Sequence, residues 1–169
     1  MALGLRRDAK SRLLADVPLF ADLSKRELAQ VASIAQELDF KAGKELIREG
    51  GSSREFFILL EGSAEVTRGG KRLATRKAGE FFGEIALVVD RPRVATVTTL
   101  EPSIALVVTE TNFRRLVKQA PDIALKVMQA VGERLPADVS YGEIFATYLW
   151  KSPGRRRPAA SARSDGTGS

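Results

Sequence analysis

The chain has 169 residues, 44% of them apolar, and a formal net charge of +6, which suits one domain with a sizeable core and leaves too little length for two comfortable ones. It contains no cysteine and no histidine. That excludes a disulfide framework, a thiolate nucleophile, a Ser-His-Asp triad and the usual zinc or iron sites, so a binding protein is expected rather than an enzyme, with no metal and no cofactor.

The positive charge lies at the ends. Residues 1–12 carry three net positive charges and residues 151–169 four, leaving the body with one net negative charge. Basic ends on a near-neutral body give weak, salt-sensitive attraction to polyanions and no specific nucleic-acid surface. The longest apolar runs, Phe56–Leu60, Ile85–Val89 and Ile104–Val108, have five residues each, far short of a membrane span. The N-terminus lacks the apolar stretch of a secretory signal, and a cytoplasmic protein is the expectation.

Along the chain, apolar residues at 5, 9, 13, 14 and 17 have helical spacing. Pro18 breaks the pattern ahead of an apolar Leu19-Phe20 pair. Asp22 or Ser24 can cap a second helix over Lys25–Ala35, with Leu28, Val31, Ala32 and Ala35 on one face. From residue 38 the period changes to short strands: Leu38–Phe40, Glu45–Arg48, Phe56–Leu60, Ala64–Thr67 and Leu73–Arg76. Glu49–Ser53 reads as a turn, Gly62 as a turn or bulge, and Gly69-Gly70 as a two-residue hairpin. Strands at this spacing argue for a closed or double-sheet β architecture over βαβ units.

Residues 79–97, GEFFGEIALVVDRPRVATV, carry most of the functional information. A Gly-Glu pair opens a short helical turn, and nine residues after Glu84 comes Arg93, leading into a β-branched strand over Val94–Leu100. A free helix N-terminus offers N–H donors and partial positive charge to an anion. Gly83 lets backbone approach closely, and Arg93 can add a fork of donors against phosphate. Glu84 would repel phosphate but accepts sugar hydroxyls well. The combination suits a small ligand with one phosphate and one ribose. Arg91, two residues from Arg93, reads as surface charge.

This segment resembles the phosphate-binding cassette of cyclic-nucleotide-binding domains, the family of the protein kinase A regulatory subunits and the bacterial catabolite activator protein. The family pattern, Phe-Gly-Glu-x-Ala-Leu followed by Pro-Arg-x-Ala-Thr, is met by Phe82–Leu87 and Pro92–Thr96. The resemblance implies a ligand site of Gly83, Glu84, Ile85, Ala86, Arg93, Val94 and Ala95. In it Gly83 and the N–H groups after it hold the cyclic phosphate, Glu84 takes the ribose 2′-hydroxyl and Arg93 pairs with the phosphate. Cyclic-GMP-selective members often carry a threonine right after the cassette arginine. Here that position is Val94, so the resemblance implies cyclic AMP as ligand in preference to cyclic GMP. It leaves the base-capping residue open among Arg134, Tyr141, Tyr148 and Trp150.

Beyond the cassette, Ile104–Val108 is a further strand after Glu101-Pro102-Ser103. Thr109 or Thr111 caps a helix bearing Phe113, Leu116 and Val117, and Pro121 opens another with Ile123, Val127, Ala130 and Val131, ended by Pro136. The resulting expectation is a mainly β fold with flanking helices: an antiparallel β-roll of jelly-roll type with the cassette embedded, N-terminal helices before it and two C-terminal helices after. The organisation expected is a basic extension over 1–11, the cyclic-nucleotide-binding domain over 12–135, an extension with helical potential over 136–150, and a disordered basic tail over 151–169.

The function implied is a stand-alone sensor that passes ligand binding to an unknown protein effector by repacking of the helices, with Leu87 following the cassette inward. A transcription factor of the catabolite-activator type would need a helix-turn-helix, and only 34 residues follow Leu135. A cupin-like protein would need histidines around a metal. The alternative is a degenerate β-roll domain that makes protein contacts without nucleotide.

Overall fold

The computed structural model describes residues 4–134. Helix α1 (Arg7–Ala15), a single 3-10 turn (Pro18–Phe20) and α2 (Lys25–Ser33) come first. Eight strands follow: β1 (Gln36–Phe40), β2 (Glu45–Ile47), β3 (Glu55–Glu61), β4 (Ser63–Arg68), β5 (Lys71–Lys77), β6 (Phe81–Phe82), β7 (Thr96–Thr99) and β8 (Ser103–Thr109). A second 3-10 turn, Glu84–Leu87, separates β6 from β7, and α3 (Glu110–Gln119) and α4 (Pro121–Arg134) close the described chain. The helix starts follow local chemistry. Ser24, not Asp22, caps α2: its hydroxyl accepts from the Glu27 N–H while the Glu27 carboxylate accepts from the Ser24 N–H, a reciprocal capping box. Thr109, not Thr111, caps α3 by accepting from the Asn112 N–H.

The strands form two four-stranded antiparallel sheets, ordered β1-β8-β3-β6 and β2-β7-β4-β5. The double-sheet architecture with helices before and after is the one expected. Strands β3 and β8 are the centre of the first sheet, paired with Phe56 opposite Val108, Phe57 opposite Val107 and Ile58 opposite Leu106. Because successive side chains alternate across a strand, Phe56, Ile58, Leu106 and Val108 pack into the helical core with Leu14, Phe20, Val31, Phe113, Ile123 and Val127. Phe57, Leu59, Ala105 and Val107 turn the other way, against Leu46, Ile47, Ala64, Phe82 and Val97 of the second core. Burial of both faces is why these two strands read as unbroken apolar runs and not as alternation.

The second sheet is different. Strand β5, at the edge of this sheet, is exposed or half-buried along its length. Gly69 and Gly70, with φ of +57° and +77°, form the two-residue turn that joins β4 to β5, a conformation that favours glycine at both positions.

Several boundaries shift by a residue or two from the expected ones, and two features bear on the site. Strand β7 begins at Thr96, so Val94 and Ala95 precede it. The backbone of Arg93 is bonded instead to the 50–51 turn, with its carbonyl accepting from Gly50 (2.7 Å) and its N–H donating to Gly51 (2.9 Å), and the Val94 carbonyl accepts from Arg68 Nε (3.0 Å). Strand β6, inside the cassette, has two residues and no readable period. Its pairing with β3 comes from Phe82 lying opposite Phe57, rings stacked at 5.2 Å. Among the described residues, no helix is long and apolar enough to cross a membrane and no cluster of side chains could hold a metal ion.

Candidate ligand site

The cassette starts where β6 ends. With Phe82 fixed against β3, the chain turns sharply at Gly83, which has φ of +84° and caps the 3-10 turn. A side chain there would meet solid structure: a Cβ would stand 2.9 Å from the Glu55 carbonyl oxygen and 3.0 Å from Arg93 Nη1. Left-handed backbone and close approach both exclude other residues from this position.

The nearest side chain to that glycine's empty face is Arg93. Its side chain crosses back over the start of β3 and is buried, 8% exposed. Nε donates to the Ser53 carbonyl (2.6 Å), Nη2 to the Glu55 carbonyl (2.6 Å) and Nη1 to the Gly83 carbonyl (3.2 Å). A guanidinium has five N–H donors, so one remains on each of Nη1 and Nη2. Burial lowers the Arg93 pKa, opposed by the nearby charges of Glu55 and Glu84, and the group stays a cation because arginine starts so high.

Glu84 is half-buried on the first turn. Loss of solvent raises its pKa above the ordinary 4.5, only partly offset by its own backbone N–H and by the positive charges of Arg76 and Arg93. Ile85 packs its half-buried side chain on the helical core, and Ala86 and Leu87 are buried. The Ala86 N–H donates to the Gly83 carbonyl (3.3 Å), while its carbonyl accepts from Arg54 Nε (2.9 Å). Leu87, Val88 and Val89 join the core shared with α1–α4. Ala95 is half-buried, and Val94 is 68% exposed beside the buried arginine.

The fold thus brings Gly83, Glu84 and Arg93 side by side, with the exposed Val94 next to Arg93 in the chain. Two expectations change. The turn after Gly83 has four residues, too few for a macrodipole of any strength. Attraction for an anion there comes from Arg93 and individual N–H groups. Arg91 is half-buried and partnered within the fold, not a solvated surface charge. Arg134 ends α4, and Tyr141, Tyr148 and Trp150 lie outside the described residues.

Two residues packed around the cassette went unnoticed in the sequence. Arg76 lies opposite Ala64 in the β4–β5 ladder, and Ala64 is a fully buried member of the inter-sheet core, so Arg76 shares the inward face and adds positive charge at Glu84. A cation in phase with the inward positions of a hairpin was the available signal. Arg54, which holds the Ala86 carbonyl, gave no local signal.

Comparison with known proteins converges on this region. Residues 37–120 match the family model described as "Cyclic nucleotide-binding domain". The chain is 33% identical over 119 residues to the cAMP-dependent protein kinase regulatory subunit of Debaryomyces hansenii, an alignment covering 70% of this chain and 26% of that protein. Among solved structures, the N-terminal domain of a transcriptional regulator from Streptomyces coelicolor A3(2) superposes with a TM-score of 0.67 at 26% identity, covering 73% of this chain and 91% of that one. A cAMP-bound PfPKA-R superposes with a TM-score of 0.56 at 27% identity, covering 75% of this chain and 46% of that one. The chain spans about a quarter of the length of the curated relatives it matches.

Proposed function

Residues 37–120 belong to the cyclic nucleotide-binding domain family, and from that premise we propose that this chain is a sensor for cyclic AMP that signals to a protein partner. The single observation that carries the reading is the Gly83–Arg93 pairing: a buried cation with two N–H donors to spare, set against a glycine that admits no side chain. A cyclic phosphate fits that description, being small, anionic and rich in acceptors. Glu84, nearby and deprived of water, is the acceptor for the ribose hydroxyl. Gly83, Ile85 and Ala86 supply close backbone, and Val94 and Ala95 form the rim. The chain acts as a binder, with no catalytic group assigned.

Cyclic AMP is favoured over cyclic GMP because the rim residue is Val94, exposed and without a hydroxyl. A guanine amino group held against it loses a water hydrogen bond without replacement, at about 1–3 kcal/mol. Adenine has no amino group at that edge. Relatives whose names mention cAMP, the Debaryomyces hansenii regulatory subunit and the cAMP-bound PfPKA-R among them, fit this choice.

Thermal melting with added nucleotide tests the reading. Ligand at a hundred times its dissociation constant adds about 2.7 kcal/mol, a rise in Tm of roughly 5–10 °C for a domain of this size. No rise with millimolar cyclic AMP or cyclic GMP would leave the nucleotide-free interaction domain as the better reading.

A further inference from the structure

Arg54 lies outside the nucleotide site, immediately before β3, and its side chain is 8% exposed. Nε donates to the Ala86 carbonyl in the cassette turn (2.9 Å). Nη1 stands 3.1 Å from the Glu110 carboxylate at the start of α3 and 3.7 Å from Asp90, just past the cassette turn. Glu110 is paired in turn with Arg114 one turn further along α3, and its backbone N–H donates to the Arg54 carbonyl (3.0 Å). A charge-balanced cluster of two arginines and two carboxylates therefore ties the cassette turn to α3. Such a buried pair is expensive to disturb one partner at a time.

The same few residues are gripped from elsewhere by the other buried arginine. Arg93 donates to the carbonyls of Ser53 and Glu55, the two neighbours of Arg54. One short backbone segment, 53–55, is thus held by Arg93 through its carbonyls and holds α3 through its central side chain.

We propose that Arg54 is the positioning residue that couples occupancy of the cassette to the setting of α3. An anion bound through the two remaining N–H donors of Arg93 shifts the guanidinium and, with it, the segment whose carbonyls at 53 and 55 it holds. The resulting shift of the segment reaches Ala86, Asp90 and Glu110 through Arg54. The identity of the anion rests on the cyclic-nucleotide reading above, whereas the coupling rests on contacts within the chain.

Hydrogen exchange of the α3 amides, normalised to the central strand β8, tests this in the unliganded full chain. Arg93→Lys and Arg54→Lys keep charge but lose the fork that spans several acceptors. Each is expected to speed α3 exchange by about threefold or more, and the double variant by no more than the larger single effect, as coupled sites require. A double variant whose effect is the product of the two singles would overturn the proposal. Glu110→Gln, which keeps the shape of α3, replaces Arg54→Lys in the same cycle if the latter fails to fold. With saturating cyclic AMP, wild-type α3 exchange is expected to change by about threefold, and that response to be lost in Arg54→Lys. A full response in Arg54→Lys overturns the proposal. No binding heat with cyclic AMP, together with non-additive exchange, would remove the nucleotide reading and leave the coupling standing.

Discussion

The two ends of the cassette treat their charges in opposite ways. Arg93 is buried with three carbonyl acceptors in place, and although burial lowers its pKa, these charge-assisted hydrogen bonds offset part of that cost and make it a brace of the unliganded fold. Glu84 is half-buried, and lost hydration raises its pKa. The cation is met by three carbonyls. The carboxylate is offset only in part, by its own backbone N–H and the charges of Arg76 and Arg93.

Arg93→Ala is the strongest test of that contrast. It removes three charge-assisted bonds and leaves the carbonyls of Ser53, Glu55 and Gly83 without their donors, so unliganded stability in urea should fall by about 3–5 kcal/mol. A loss below about 1 kcal/mol would mean that Arg93 is not a brace, and the contrast would collapse. Nucleotide affinity in the variant, if it folds, should drop roughly 30- to 1,000-fold.

Gly83→Ala comes next. It places a Cβ 2.9 Å from the Glu55 oxygen in left-handed backbone, which should cost about 2–3 kcal/mol, the backbone accounting for 1–2 of that. Calorimetric melting of the unliganded variant is the check, and an unchanged Tm would show that the turn can relax away from Arg93.

Glu84→Gln should move stability and binding in opposite directions. Because the folded-state pKa of Glu84 lies above its ordinary 4.5, any stabilisation from this group is fully present below the unfolded value and is lost as pH rises through the folded one. The variant should therefore melt higher than wild type at pH 7 and level with it below pH ~4, while binding nucleotide about tenfold or more weakly, since a charged acceptor is worth about 1.5–3 kcal/mol to a hydroxyl. A lower Tm at neutral pH would reverse the assignment of the two ends.

Val94→Thr should have the smallest effect on the fold, within about 0.5 kcal/mol, because the side chain is exposed. Competition titrations should show the gap between cyclic AMP and cyclic GMP narrowing, by up to about tenfold. An unchanged ratio would show that the rim does not read the base.

How much of this was legible in advance depended on the range of the interactions. The Gly69-Gly70 hairpin and the unbroken apolar runs of β3 and β8 involve residues within a few positions of one another, and local chemistry names them, whereas the cap of α2 was narrowed only to Asp22 or Ser24 and settled by the fold. The cassette was readable for the same reason: Gly83, Glu84 and Arg93 lie in one short stretch with recognisable spacing. The two-residue strand β6 and the late start of β7 were not, since one is too short for a period and the other is set by bonds to the 50–51 turn and Arg68.

What the sequence determined by itself was the set of chemical groups at the site and the class of fold that carries them, because side-chain type, backbone preference and periodicity are local properties. Only the tertiary structure decided which of those groups are stabilised and which are strained. The carbonyls that satisfy Arg93 are 38 and 40 residues away at Glu55 and Ser53, and the cluster joining Arg54 to Glu110 closes over a still longer stretch of chain. Hydrogen-bond satisfaction and loss of water depend on what is packed around a group, and that packing exists only once the sheets and helices have come together.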